Sequence, residues 1–358
     1  MKKEPRLLII NPGSTSSKIA VFEGESPILE KKIEYSIDDL NEFHGVSDQY
    51  QFRKDSILNV LDEQGINIHK FDGIVARGGL LKPISGGTYR VNDLMVKHLM
   101  EGYQGEHASN LGGIIAREIA DQLDIHAYIV DPVVVDEMEE IAKVSGFAPI
   151  RRKSIFHALN QKAVARKAAH KIGKKYQESN LVVCHLGGGI SVGAHQQGQV
   201  IDVNNALDGE GPFSPERSGG LPNGDLFKYA ENYDCSWGEL KRQIIGNGGL
   251  VSYLNTNDGK KVVQMIESGD QHAKLIYDAM IYQIAKEIGA CVVTLKGELD
   301  AIVITGGLAH DDYLTNHLEA YVGFLGQVMI FAGEDEMKAL AEGGLRVIKG
   351  VETAKEYV

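Results

Sequence analysis

Short runs of glycine and small polar residues give this sequence several places where phosphate oxygens could be bound. Residues 11–17 read Asn-Pro-Gly-Ser-Thr-Ser-Ser, residues 187–189 are all glycine, and residues 305–307 read Thr-Gly-Gly. Backbone N–H groups reach phosphate oxygens where no Cβ blocks the approach, and glycine allows the φ > 0 conformations that direct successive amides inward. One such run alone is more typical of an ordinary hairpin turn. Their recurrence favours phosphate binding at Asn11, Gly13, Ser14, Ser16, Gly187, Gly188, Gly189, Gly306 and Gly307.

Two arginines stand where a cation could meet a carboxylate or a phosphoryl group. Arg77 follows an apolar strand and precedes Gly78 and Gly79, and Arg217 lies in the loop 215–220, which is rich in turn residues. A guanidinium matches the oxygens of carboxylates and phosphates bidentately and neutralises charge on a phosphoryl group in transfer. A strand-end salt bridge for Arg77 and simple solvent exposure for Arg217 are equally open on the sequence alone.

Histidines and one aspartate lie at the ends of predicted elements. His107 and His157 each precede a helix, and His185 lies in the apolar strand that leads into residues 187–189. A single histidine is more often a satisfied polar residue than a catalyst, and the spacing of these three fits no zinc site. Asp131 ends a strand, where open α/β sheets present functional carboxylates, although it could equally serve as a turn former before Pro132.

The elements that position these residues recur in the two halves of the chain. Strand 7–10 returns as 18–22 through a polar turn, and strand 181–186 returns as 190–194 through the glycine turn, with a further strand at 199–202. Each hairpin is followed by a strand that ends in glycines, at 73–79 and 301–307. Helices are predicted at about 158–175 and 272–295. We therefore expect two α/β domains with a ligand cleft between them.

Composition excludes several classes of function. The chain has 358 residues and a formal charge of -12, which disfavours nucleic-acid and anionic-membrane partners. No apolar segment approaches the ~20 residues of a membrane span, and the N-terminus has no secretory h-region. Neither a P-loop nor a Rossmann glycine motif occurs, which weakens a dehydrogenase hypothesis.

The three cysteines, Cys184, Cys235 and Cys291, lack metal-type spacing. Cys184 and Cys291 are expected to be buried thiols. We therefore expect a reducing, cytoplasmic location.

In this order, the motifs resemble those of the acetate and butyrate kinase family, part of the actin and sugar kinase superfamily. The resemblance runs from Leu7 to about Gly344 and includes Asn-x-Gly-Ser, His-Leu-Gly-x-Gly, Arg-Ser-Gly and Thr-Gly-Gly. It implies two duplicated actin-like (ribonuclease H-like) α/β domains with a nucleotide cleft between them. We expect an N-terminal domain at 1–155 and a C-terminal domain at 156–339, with residues 340–358 packing back on the first.

The resemblance also implies roles for individual residues. Arg77 and Arg217 clamp the carboxylate and the phosphoryl group, and His157 stabilises the transferred phosphoryl group. Asn11, Asp131 and Glu336 are linked to magnesium, directly or through water, with neighbouring acids of 334–336 as alternatives to Glu336. His185 and the glycines after it form the second phosphate hairpin, and Gly306 and Gly307 lie by the adenosine.

Departures from the acetate kinase pattern resemble the butyrate kinase branch. Residues 76–83 read Ala-Arg-Gly-Gly-Leu-Leu-Lys-Pro where acetate kinases carry His-Arg-Val-Val-His-Gly-Gly, and residues 154–160 replace their Gly-Phe-His-Gly-Thr-Ser-His. We expect the glycines after Arg77 to leave room for a longer acyl tail. The expected substrate pocket comprises Arg77, Gly78, Gly79, His107, Phe156 and Pro212.

The expected activity is ATP-dependent, reversible phosphorylation of a short-chain carboxylate, butyrate or a branched relative, to an acyl phosphate. ATP/ADP and Mg²⁺ are the implied cofactors. Acetate or propionate kinase is the alternative within the family, and an actin-like ATP-binding switch is the alternative outside enzymes. We expect self-association into a homodimer or larger assembly, and neither nucleic acid nor membrane as a partner.

Overall fold

The computed structural model describes residues 4–233 and 236–358, so Cys235 lies outside the described residues. The strands are β1 (Arg6–Pro12), β2 (Ser16–Glu23), β3 (Ser26–Glu34), β4 (Gly73–Arg77), β5 (Thr88–Arg90), β6 (Ala127–Val130), β7 (Asn180–Leu186), β8 (Ile190–Gln196), β9 (Gln199–Val203), β10 (Ala301–Gly306) and β11 (Val328–Ala332). Predicted strands at both hairpins and both glycine-ended segments are confirmed.

The helices begin with α1 (Ile37–Asn41), α2 (Tyr50–Glu63), α3 (Asp93–Met100), α4 (Asn110–Gln122), α5 (Glu140–Lys143), α6 (Ala158–Lys171) and α7 (Asn223–Asn232). They continue with α8 (Trp237–Ile244), α9 (Gly249–Leu254), α10 (Gly259–Glu267), α11 (Gln271–Thr294), α12 (Asp312–Val322) and α13 (Glu336–Ile348). The helix predicted at 272–295 is confirmed as α11. The helix predicted at 158–175 ends earlier, at Lys171, because Gly173 takes φ 75°, a left-handed conformation that terminates helices.

The chain divides into two compact units. The first unit comprises the chain up to Val135 together with Asp335–Val358, and the second unit is Asp136–Glu334. The boundary thus lies after Val135 rather than after residue 155. Segment 136–155 belongs to the second unit because it bonds there: Glu139 N–H donates to Ile201 O at 3.0 Å, and Arg152 pairs with Asp202 at 2.9 Å.

The first unit is built on a sheet in the order β3-β2-β1-β4-β6-β5. β1, β2 and β3 form an antiparallel meander, and β4 and β6 extend it in parallel with β1. The apolar run Leu7, Leu8, Ile9 and Ile10 is buried on both faces of the sheet. Helix α13 packs on this sheet, where Gly343 and Gly344 allow its backbone to approach Val130 and Val75 closely.

The second unit repeats this topology in a sheet of order β11-β10-β7-β8-β9. β7, β8 and β9 form the antiparallel meander, and β10 and β11 extend it in parallel with β7. The long helix α11 lies in its core with buried Tyr277, Met280, Ile284 and Ile288. The duplicated α/β fold expected from the sequence is therefore confirmed.

Candidate functional site

The carboxyl-terminal edge of the first sheet carries three polar residues selected from the sequence. β1, β4 and β6 are parallel neighbours, so their carboxyl ends meet at one edge. Asn11 is the penultimate residue of β1, Arg77 is the last residue of β4, and Asp131 follows β6 directly. Functional side chains of open α/β sheets collect at this edge.

Glu336 connects two of these side chains. It is the first residue of α13, whose N-cap Asp335 accepts a hydrogen bond from the backbone N–H of Lys338. The Glu336 carboxylate accepts a hydrogen bond from Asn11 Nδ2 at 2.7 Å through Oε2, and Oε1 lies 2.9 Å from Arg77 Nη1. The structure thus brings Asn11, Arg77 and Glu336 together.

Asp131 is buried at the same edge but is occupied by its own loop. Its Oδ1 accepts a hydrogen bond from the backbone N–H of Gly87 at 2.6 Å. Its backbone has φ 38°, in the left-handed region that favours glycine. This carboxylate therefore has a structural task in addition to any role at the sheet edge.

The tip of the first hairpin is held from behind by an arginine that sequence reasoning missed. Arg53, in α2, is 1% exposed. Its guanidinium donates to Gly13 O and Ser14 O at 2.7 Å each and to Gln49 Oε1. Burial lowers the pKa of Arg53 from its usual value. The carbonyls of the tip are therefore turned toward Arg53.

His107 lies in the loop before α4, in the first unit. Its Nδ1 is 2.8 Å from Ser109 Oγ and accepts the Ser109 backbone N–H at 3.2 Å. Desolvation, together with the Arg77 cation, lowers the pKa of His107. The imidazole is therefore favoured in its neutral form with the proton on Nε2.

Gly78 and Gly79 do not open space for an acyl tail, which corrects the expectation from the sequence. A Cβ at Gly78 would lie 2.6 Å from Pro132 Cβ and 2.9 Å from Ile129 Cδ1. A Cβ at Gly79 would lie 2.6 Å from Asn110 Cα. The missing side chains are replaced by the start of α4 and by the chain after β6, so these glycines serve close packing.

In the second unit, two candidate histidines form a stacked pair. His157 is the N-cap residue of α6, and its ring stacks on that of His185 with centroids 3.7 Å apart and planes 10° apart. His157 Nδ1 contacts Ser191 Oγ at 2.9 Å, and His185 Nδ1 contacts Asn160 Oδ1 at 2.8 Å. The sequence placed these histidines in separate motifs, and the fold makes them one feature.

A carboxylate completes the surroundings of His185. Glu334 follows β11, and its Oε1 lies 3.0 Å from His185 Nε2. A Cβ at Gly187 would lie 3.1 Å from His185 Nε2 and 3.3 Å from Glu334 Oε1, so the first glycine of the hairpin gives these groups room. Of the acids at 334–336 that were expected near a metal, Glu334 contacts His185, whereas Glu336 contacts Asn11 and Arg77.

Arg217 lies against the glycine hairpin. Its Nη1 donates to Ala206 O, and a side chain at Gly189 would occupy the place of that nitrogen. Burial lowers the pKa of Arg217, opposed by the nearby Glu216 and Asp208 carboxylates. Gly189 is therefore required if this guanidinium is to keep its position.

A cavity of about 790 Å³ in the second unit joins the two predicted nucleotide motifs. Gly187 and Gly188 of the hairpin and Gly307 after β10 all line it. Gly306 has φ 94°, and a Cβ there would collide with the backbone of Leu186. Glu334 also lines the cavity, together with polar residues that the sequence did not indicate: Asn257, Asp258, Lys260, Asp311 and Tyr313.

The remaining residues selected from the sequence are buried side chains. Phe156 is 3% exposed, and Pro212 is buried. Cys184 and Cys291 are buried free thiols, as predicted, and burial raises the pKa of both. Within residues 4–233 and 236–358, no group of three or more His, Cys, Asp or Glu side chains could hold a metal ion by itself. Across the same residues, no helix is long and apolar enough to cross a membrane.

Comparison with known proteins places the chain in a class of phosphotransferases. Residues 129–348 match the model of the acetokinase family. The chain belongs to the acetokinase family, so the resemblance noted from the motifs is confirmed.

The chain is also similar to individual members of the family and to solved structures. Butyrate kinase 1 of Clostridium acetobutylicum is 55% identical over 352 residues, which are 98% of this chain and 99% of that relative. The crystal structure of Porphyromonas gingivalis acetate kinase has a TM-score of 0.78 at 18% identity and covers 96% of this chain and 100% of its own. A propionate kinase from Francisella tularensis has a TM-score of 0.71 at 20% identity, covering 95% and 98%. At these identities, the solved structures support the fold alone.

Proposed function

We propose that this protein catalyses ATP-dependent phosphorylation of butyrate, giving butyryl phosphate and ADP, and that the reaction is reversible. The 55% identity over 98% of this chain to a protein named butyrate kinase 1 is the observation that carries the proposal. A carboxylate oxygen attacks the γ-phosphorus, the bond from that phosphorus to the β,γ-bridging oxygen breaks, and the bridging oxygen leaves with ADP. The carboxylate is already ionised at neutral pH, so the reaction requires no general base.

Catalysis of such a transfer depends on positioning and charge neutralisation. Arg77 is the proposed carboxylate anchor. Its side chain is 40% exposed, and its guanidinium is already bound to one carboxylate, that of Glu336, at 2.9 Å. A substrate carboxylate offers the same oxygen geometry to the same guanidinium. His107 is the proposed second donor to the acid, because desolvation and the Arg77 cation lower its pKa and its Nδ1 accepts the Ser109 N–H, which leaves the proton on Nε2.

Arg217 and His157 are the proposed stabilisers of the phosphoryl group in transfer. The two residues differ in what they supply. Arg217 provides a fixed cation: burial lowers its pKa, but a guanidinium remains protonated in proteins. His157 provides a directed ring nitrogen, since stacking on His185 and the contact with Ser191 fix its plane.

The nucleotide is proposed to bind in the cavity of the second unit. Its phosphates would meet the backbone amides of the hairpin 187–189, where the glycines allow close approach. The adenosine would lie toward Gly307 and the polar residues beside it, which line the same cavity. Asn11 and the Gly13–Ser16 tip, braced by Arg53, are proposed as further phosphate contacts.

Asn11, Asp131 and Glu336 are proposed to hold a magnesium ion at the edge of the first sheet. Magnesium prefers oxygen ligands and usually combines one or two carboxylates with water and phosphate oxygens, without a full protein cage. Asn11, Asp131 and Glu336 offer amide and carboxylate oxygens at this edge. When bound, Mg²⁺ would neutralise phosphate charge. Glu336 has a second role at this edge, because its carboxylate orients the side chains of Asn11 and Arg77.

Trapping the acyl phosphate with hydroxylamine tests the proposal across formate, acetate, propionate, butyrate, valerate and branched acids. Each buried CH₂ contributes about 0.8 kcal/mol, a factor of roughly 4, so butyrate should exceed acetate in kcat/KM by on the order of 10-fold. A higher kcat/KM for acetate or propionate than for butyrate would identify the protein as an acetate or propionate kinase instead. ATP turnover that ignored added carboxylate would favour an ATP-binding switch.

Self-association is proposed on the basis of exposed apolar side chains. Trp237 and Phe324 are 80% and 84% exposed, so an interface that covered them would remove their apolar surface from water. Light scattering coupled to gel filtration measures the mass directly. A single species at 39.1 kDa would contradict the proposal.

A further inference from the structure

A continuous chain of buried side chains runs behind His157 in the second unit. His157 Nδ1 lies 2.9 Å from Ser191 Oγ, and Gln161 Nε2 lies 2.8 Å from the same oxygen. Gln161 Oε1 lies 2.9 Å from His195 Nε2, and His195 Nδ1 lies 2.9 Å from the Tyr176 hydroxyl. Ser191, Gln161 and His195 are each 0% exposed. Bulk water therefore does not reach these three side chains.

The orientation of Gln161 sets the direction of the whole chain. Its amide also lies 3.0 Å from the backbone carbonyl of Ser191, which can only accept a hydrogen bond. The amide nitrogen must therefore face Ser191, and the amide oxygen must face His195. His195 accordingly donates from Nε2 to Gln161 Oε1.

His195 is neutral, so its second nitrogen is an acceptor. Burial, reinforced by the cations of Lys162 and Arg166, lowers the pKa of His195 well below its usual value. With the proton on Nε2, Nδ1 accepts the hydroxyl proton of Tyr176. This agrees with the direction that the Ser191 carbonyl imposes from the other end.

The hydroxyl proton of Ser191 is directed by its two side-chain partners. Its Oγ accepts the N–H of Gln161, and its other side-chain partner among the described residues is His157 Nδ1. A buried hydroxyl proton that finds no acceptor is costly, so the Ser191 proton is directed to His157 Nδ1. An imidazole that accepts at Nδ1 carries its own proton on Nε2.

We propose that Gln161 is a positioning residue that acts through Ser191 to hold His157 as the neutral tautomer with its proton on Nε2. The inference deepens the proposed function, since it rests on His157 acting on the phosphoryl group. The opposite tautomer would present a lone pair at Nε2, which repels an anionic phosphoryl oxygen. The chain therefore supplies a hydrogen-bond donor where an unsupported imidazole would divide its population between two tautomers.

The tautomer is measured directly by ¹⁵N NMR of imidazole-labelled wild-type protein, with the His157 signals assigned through His157→Gln. We expect a protonated Nε2 and an unprotonated Nδ1 for His157 near neutral pH. A protonated Nδ1 would overturn the inference. This measurement needs no activity, so failure of the proposed function would leave it intact.

Variants separate positioning from general stability. Ser191→Ala removes the hydroxyl and should give a mixture of His157 tautomers, with kcat lower by about 10-fold or more and little change in KM for ATP. Ser191→Thr retains a hydroxyl and should restore both. Gln161→Met should act like Ser191→Ala, because it frees the Ser191 hydroxyl to turn.

Tyr176→Phe is the matched control. It removes a buried hydrogen bond at the far end of the chain, but the Ser191 carbonyl still orients Gln161. We expect a lower Tm with the His157 tautomer and kcat close to wild type. Equal losses of kcat in Tyr176→Phe and Ser191→Ala would show that only stability is at stake and would overturn the positioning role. A tautomer that shifts without any change in kcat would remove His157 from the proposed mechanism.

Discussion

The two sheets repeat one topology and place different chemistry at equivalent positions. Asn11 and His185 are each the penultimate residue of the strand that enters the hairpin, β1 in the first unit and β7 in the second. Each contacts a glutamate: Asn11 contacts Glu336 at 2.7 Å, and His185 contacts Glu334 at 3.0 Å. A shared backbone plan thus positions a carboxylate in both units.

The neighbouring positions diverge. The strand beside β1 ends in the cation Arg77, whereas the residue beside His185 in β10 is the neutral, buried Thr305. The first unit gathers opposite charges at its sheet edge, whereas in the second unit a stacked pair of imidazoles and the glycine hairpin lie beside the Glu334 carboxylate. The duplication therefore supplies position, and the residue choice at a few strand ends supplies function.

Arg217 should give the largest effect, because a fixed cation on the phosphoryl group acts mainly in the transition state. We expect Arg217→Ala to lower kcat by on the order of 10³-fold while KM for ATP changes little. Steady-state kinetics with butyrate, together with Tm, measures both. Gly189→Ala is a useful companion, since its side chain would displace the same guanidinium and should lower kcat in the same direction. A folded Arg217→Ala with near-normal kcat would falsify the assignment.

His157 should follow, because its contribution is a directed donor and not a fixed charge. We expect His157→Ala to lower kcat by about 10²-fold with little loss of Tm. A histidine that only packs at the start of α6 predicts the reverse, a lower Tm with kcat largely intact. Measuring kcat and Tm on the same preparation decides between the two roles.

Glu336 and Glu334 occupy comparable positions in the two units, so variants of the two residues can be compared in their Mg²⁺ requirement. Glu336→Gln should raise the Mg²⁺ concentration needed for half-maximal rate by about 10-fold, since this carboxylate lies at the proposed magnesium edge. Glu334→Gln removes an equivalent charge from beside His185 and should leave that requirement near wild type. Titrating Mg²⁺ at fixed ATP for both variants is the measurement. Equal shifts would assign both acids, or neither, to the metal.

Much of the fold could be predicted from local pattern. Apolar strands returning through glycine or polar turns are short-range signals, and both hairpins, the glycine-ended strands and α11 follow them. The unit boundary could not be predicted in this way. It depends on long-range bonds such as Arg152 to Asp202, and no composition change marks it.

The site residues also divide into those that could be predicted from the sequence and those that could not. Residues at strand ends were predictable because parallel strands bring their carboxyl ends together, as for Asn11 and Arg77. The supporting residues were not: Arg53 looks like a surface residue of α2, and Gln161, Ser191 and His195 show no motif. Their importance arises from burial and from contacts between elements, which spacing along the chain does not encode.

A substitution at Gly78 should have the smallest effect on catalysis. It tests the prediction, contradicted by the structure, that the glycines after Arg77 leave room for a longer acyl tail. Since a Cβ there would lie 2.6 Å from Pro132 Cβ, Gly78→Ala is an overpacking change. We expect it to cost about 1–3 kcal/mol of stability and to leave the butyrate-to-acetate ratio of kcat/KM unchanged.

Gly289→Ala is the control, because among residues 4–233 and 236–358 nothing outside the adjoining backbone of α11 lies within 4 Å of a Cβ at this position. Alanine there should raise stability by up to about 1 kcal/mol, since glycine is a poor helix former. Thermal unfolding and the substrate ratio are measured on both variants. If Gly78→Ala kept the wild-type Tm and shifted preference toward acetate by roughly 4-fold, the value of one CH₂, the glycine would line the acyl pocket after all. The opposite pattern would assign Gly78 to packing, and the acyl pocket must then be sought among the other residues near Arg77.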